Sequence, residues 1–160
     1  MRSVTLTAMP TDRSYDGDLV LWAEDQARAL RDAARARINV PIDWQNVAEE
    51  IEALGKSQGR ELASRVRTVL VHLMKLQVSP ATEPHAGWRA TIRRERAEIE
   101  TLLRDSPSLR PTVPAVVADE SATASRIAAA DMEDFGESPK IDLARAQYAS
   151  EQVLGDWFPG

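Results

Sequence analysis

Between Pro41 and Pro80 the chain runs without a proline, and Val47, Ile51, Leu54, Leu62, Val66, Val69, Leu73 and Leu76 recur at helical intervals. Gly55 and Gly59 interrupt this series and test its continuity. From Ile51 to Leu62 is 11 residues, which at about 100° per residue returns to within roughly 20° of the same face. The stripe keeps phase across the glycines. This favours one long or gently kinked helix from about Trp44 to Val78, opened by Asp43 as its N-cap. A kink stays open as the alternative, because glycine costs roughly 1 kcal/mol against alanine inside a helix.

Other helices are expected on both sides of this one. Asp16 or Asp18 caps a helix from about Gly17 to Arg37, with Leu19, Ala23, Ala27, Leu30 and Ala34 on one face. A third runs from near Trp88 to Asp105 through Ile92, Ile99 and Leu102 or Leu103, and the proline-broken SPSLRPTVP then turns a corner. A fourth, from about Val113 to Asp134, is expected to bury Val116, Val117 and Ile127 along an alanine-rich face that lets a neighbour approach closely. A short helix at Ser150 to Leu154 precedes Trp157 and Phe158, a pair expected to dock on the bundle. Twenty-four alanines against seven glycines and eight aromatic residues agree with an all-α fold. The expectation is an antiparallel four-helix bundle with a long second helix and a short C-terminal one. Residues 15–160 form its single domain, behind a flexible arm of residues 1–14. Ser3 to Ala8 alternates in a strand-like way, but no second strand is present to pair with it.

The absence of cysteine excludes thiol nucleophiles, disulfides and cysteine-ligated metals, and two histidines, His72 and His85, leave little for imidazole chemistry. Gly55-Lys56-Ser57 resembles the end of a phosphate-binding loop, yet Glu50 stands where its first glycine belongs and a helix precedes it. Glu49, Glu50 and Glu52 cluster as carboxylates do at dinuclear metal sites. Those sites also require a Glu-x-x-His step, and Val69 and Thr82 stand three residues before His72 and His85. The glutamates are expected to form a charged face or to meet Arg60, Arg65 and Arg67. His72 is read as a packed side chain and His85, in a proline loop, as solvated. No cofactor is expected.

Net charge is distributed unevenly. Residues 1–55 carry 6 basic and 10 acidic side chains, residues 56–104 carry 10 and 5, and residues 105–160 carry 4 and 10, so a basic middle of +5 lies between ends of −4 and −6. It either pairs internally, which is the commoner outcome, or leaves a patch for an anionic partner. The candidate contacts are Arg65, Arg67, Lys75, Arg89, Arg93, Arg94 and Arg96, beside Trp88, which is in phase with Ile92 and Ile99 and so reads as core.

Four stretches in order carry a resemblance: YDGDLVLWAEDQARALRDA from Tyr15, DWQNVAEEIEALGKSQGRELASRVRTVLVHLMKLQ from Asp43, GWRATIRRERAEIETLLRDSPSLRPTV from Gly87 and SEQVLGDWFPG from Ser150. In these the chain resembles a bacterial family catalogued as domain of unknown function 29. The resemblance implies an all-helical bundle and no activity, cofactor or catalytic residue.

The leading expectation is a small non-catalytic helical interaction or scaffold module that binds a protein partner or itself. The alternative is an anion or nucleic-acid binder through the arginines of the second and third helices. A carboxylate metalloenzyme comes third. No apolar run is long enough to span a membrane, and the N-terminus lacks the apolar stretch of a signal peptide, so a cytoplasmic location is expected.

Overall fold

The computed structural model describes residues 15–36 and 41–160. The expected N-terminal arm, with its alternating Ser3 to Ala8 segment, lies outside the described residues. Five α-helices follow in order: α1 (Leu19–Arg35), α2 (Trp44–Val78), α3 (His85–Asp105), α4 (Val113–Asp134) and α5 (Ser150–Leu154). Three of these match the sequence expectation at both ends. In α1 the cap is Asp18, whose carboxylate accepts from the Leu21 amide at 2.9 Å, and the helix ends two residues earlier than expected. Helix α3 starts three residues early, at His85. Pro84 sits ahead of it as its cap residue, and a fixed proline φ suits a helix start.

Helix α2 is continuous through both glycines, with Asp43 accepting from the Asn46 amide at 3.2 Å at its start. A Cβ on Gly55 would lie 3.1 Å from the Cβ of Ala23, so this glycine lets α1 approach. Nothing lies within 4 Å of the same position on Gly59.

The other helices divide the length of α2 between them. Helix α1 runs antiparallel along its N-terminal half, because Ala23 lies against Gly55 and, further along α1, Arg31 pairs with the earlier Glu52. Helix α3 runs antiparallel along the C-terminal half, where Arg65 meets Glu95 at 3.0 Å. Helix α4 runs in the same direction as α2, because Arg67 pairs with Glu120 and, further on, Lys75 with Asp131. The core therefore forms around the C-terminal half of α2, from Leu62 to Val78. It takes Ile92, Ile99 and Leu103 from α3 and Val113, Val117, Ala124, Ala128 and Met132 from α4. The small residues of α4 face α2 as expected, but Ile127 is exposed, because burial follows the four-residue step Ala124–Ala128–Met132.

Candidate functional site

The basic middle is spent largely on internal pairing. Arg65 reaches Glu61 at 2.8 Å on its own helix, and Glu95 at 3.0 Å and Glu98 at 3.6 Å on α3. Hydrogen bonding to Glu61 raises its pKa further, and Glu120 does the same for Arg67 at 2.6 Å. The Lys75 ammonium lies 3.0 Å from Asp131 and 5.0 Å from the centroid of Trp88. Through Glu120 and Asp131 the acidic C-terminal segment compensates the basic middle. Arg89 lies over Phe158, and Arg94 approaches Glu95 at 3.7 Å while mostly exposed. Arg93 is exposed.

Arg96 has a different role. It is 8% exposed, and its guanidinium donates to the carbonyls of Gln152 (2.7 Å), Val153 (2.9 Å) and Trp157 (2.8 Å), with the Phe158 ring 4.9 Å away. It thus closes the C-terminal end of α5. Burial lowers its pKa, and the nearby Asp156 opposes the shift. The expected docking of the terminal pair occurs mainly through Phe158, which packs on the core, while Trp157 contributes its carbonyl and keeps its ring half-exposed. Beside them Tyr148 donates to Gln77 at 2.5 Å, and burial pushes its phenol pKa up.

The remaining chemical candidates are structural in placement. Gly55-Lys56-Ser57 lies within α2, where the Ser57 hydroxyl donates to the Leu54 carbonyl at 2.7 Å. His72 Nδ1 lies 2.8 Å from the Thr68 carbonyl. His85 is not the solvated side chain expected: its ring packs against Trp88 at 5.5 Å, and Nε2 is buried without a partner, because α3 already begins there. Trp88 itself is half-buried against the core. Glu52 meets Arg31 and Lys56, not Arg60, Arg65 or Arg67, since those lie farther along its own helix. Hydrogen bonding to Arg31, then to Lys56, holds its carboxyl below the ordinary value. Among the described residues, no group of three or more His, Asp or Glu side chains is placed to hold a metal ion.

Besides Ile127, the apolar stripe of α2 departs from the core, and there it exposes the most distinctive surface. Val47 and Leu54, in phase with the buried Leu62, Val66 and Val69 of the same stripe, are 39% and 42% exposed, with Ile51 half-buried between them. Helix register explains this. Arg65 lies five turns from Val47 on the same side of α2, and there α3 covers it. Counting back from the Arg65–Glu95 pair, α3 ends opposite about residue 55 of α2, and among the described helices α1 accompanies α2 beyond that point. Leu19, Trp22, Leu30 and Ala33 form a half-buried stripe on α1, whose opposite edge carries Arg31. The α1–α2 arm is therefore charged on one edge, at Glu24, Arg28, Arg31, Arg35 and Glu52, and apolar on the other. The sequence contains this stripe but not the point at which α3 stops.

Among the described residues, no helix is long and apolar enough to cross a membrane. A family model described as "Domain of unknown function DUF29" matches residues 14–158. No curated protein matches the chain. A crystal structure of an alpha-helical protein of unknown function from Rhodospirillum rubrum is similar, with a TM-score of 0.72 and 26% identity over 89% of this chain and 90% of that one.

Proposed function

Since the chain belongs to the DUF29 family, a family described without an activity, we propose from its surface that it is a non-catalytic helical interaction module that receives a partner's helix along the uncovered part of α2. One observation carries this reading. The side of α2 that seats α3 in the C-terminal half continues as Val47, Ile51 and Leu54, and among the described residues no helix lies over it. Both exposed residues sit on a continuous helix, so a partner helix would dock on a surface that is already formed. Glu50 borders the stripe and has no ion-pair partner among the described residues, so the helix that fits carries an apolar stripe with a basic flank. The reading takes the protein as cytoplasmic.

Affinity capture from native extract with the wild-type chain and with Val47→Asp combined with Leu54→Asp tests it. Both positions are partly exposed, so the variant folds. The reading expects a partner that the wild type retains and the variant loses. The same proteins recovered by both would overturn it.

Anion or nucleic-acid contact is the second reading, and Arg93 and Arg94 are its exposed members. It expects binding that weakens steeply with salt and is lost when Arg93→Ala and Arg94→Ala are combined. Absence of any retained nucleic acid at low salt removes it.

A further inference from the structure

Phe135, at the far end of the molecule from the α1–α2 arm, is 79% exposed and follows the last residue of α4. Its position is fixed by the backbone. The Phe135 and Glu137 amides both donate to the Met132 carbonyl, at 3.2 and 2.8 Å, and the Gly136 amide donates to Glu133 at 2.9 Å. Gly136 adopts a φ of +67°, the left-handed turn that closes a helix. Glu137 is held in turn by the Ser79 hydroxyl at 2.5 Å. The turn thus holds the aromatic ring outward as a fixed projection.

A cavity of about 130 Å³ lies directly beside it, lined by Trp88, Pro84 and Met132, with the Lys75–Asp131 pair and Phe135 itself at its wall. A cavity of roughly 150 Å³ lined by apolar side chains holds one benzene ring. The cavity thus matches the ring next to it in size and chemistry. Its charged lining includes the neutral Lys75–Asp131 ion pair and Glu137, which is already hydrogen-bonded. A two-fold contact needs projection and recess on one contiguous patch, so that each copy gives and receives the same group. This patch has both.

We propose that two copies of this chain associate about a two-fold axis, each inserting Phe135 into the cavity of the other beside Trp88. The contact is independent of the α2 stripe, which lies on the other half of the long helix. Glu133 and Asp134, both exposed, flank Phe135 and repel across such an axis, so salt that screens them favours association.

Sedimentation of the full chain from about 10 to 500 µM in about 0.3 M NaCl tests the proposal, with about tenfold as the smallest weakening that counts. The wild type is expected to shift from monomer to dimer, and Phe135→Ser to weaken the dimer at least tenfold with an unchanged thermal melt. Methyl NMR of the four methionines reads the insertion itself. The Met132 methyl should shift with concentration in the wild type and stay fixed in Phe135→Ser. A wild type that is monomeric throughout, a Phe135→Ser that dimerises as tightly, or a Met132 signal unmoved by dimer formation would overturn it.

Discussion

Asp18 and Ser108, ninety residues apart, share one carboxylate: Ser108 donates its amide at 2.6 Å and its hydroxyl at 2.9 Å to the group that caps α1. Asp18 is only 2% exposed, so these three bonds satisfy a buried charge. They also tie the start of α1 to the corner between α3 and α4, near Val20, which packs against the core. Asp18→Ala removes the cap and leaves the Ser108 amide without its acceptor, and an expected loss of about 2–4 kcal/mol follows. Ser108→Ala removes one bond and costs about 1 kcal/mol. Urea unfolding measures both, and equal effects would contradict this account.

The C-terminal segment depends on Arg96. Its planar fork reaches three carbonyls that one ammonium could not satisfy in the same geometry, so Arg96→Lys should lose most of what Arg96→Ala loses, about 3 kcal/mol. Deleting residues 150–160 removes those carbonyls, and Arg96→Ala should then cost far less in the truncated chain than in the full one. A double-mutant cycle between the two changes measures this coupling.

The two glycines of α2 predict opposite behaviour from one substitution. Gly59→Ala meets open space, and gains about 0.5–1 kcal/mol of helix propensity. Gly55→Ala places a methyl group 3.1 Å from Ala23, so α1 must move, and the gain is reduced or reversed. Thermal melts should rank Gly59→Ala above the wild type and above Gly55→Ala.

Acid should weaken the Arg31–Glu52 pair that bridges α1 and α2. The folded pKa of Glu52 lies below its unfolded value because Arg31 and Lys56 favour the carboxylate. Its contribution is therefore present above the unfolded carboxylate pKa and is lost as pH falls through the lower, folded one. Glu52→Gln should be slightly less stable than the wild type at pH 7 and equal to it once pH is below the folded value. The pair is accessible to solvent, so the difference at pH 7 is small. Denaturant midpoints across pH measure it.

Much of the fold was legible because its signals are local. The phase of the apolar residues across Gly55 and Gly59 predicted a continuous α2, and the prolines around Leu109 marked the corner before α4. The misreadings arise where a tertiary neighbour decides. Val47 and Leu54 share a stripe with buried residues, and only the length of α3 along α2 leaves them exposed. Ile127 reads as core by hydropathy, but the approach of α4 through Ala124 and Ala128 turns it outward. The segmental charge correctly suggested internal pairing, yet not that Arg96 would bind backbone carbonyls, because acceptors of that kind leave no mark in a charge count.

The direct measurement of the central claim is site-specific photocrosslinking in cells, with a photoreactive side chain placed at position 47 or 54 on the apolar edge of the arm, or at position 28 or 35 on its charged edge. The account predicts one protein adduct from both positions of the apolar edge and none from the charged edge. The crosslinked peptide should carry helically spaced apolar residues flanked by lysine or arginine. Equal adducts from the two edges, or none from positions 47 and 54, would contradict it.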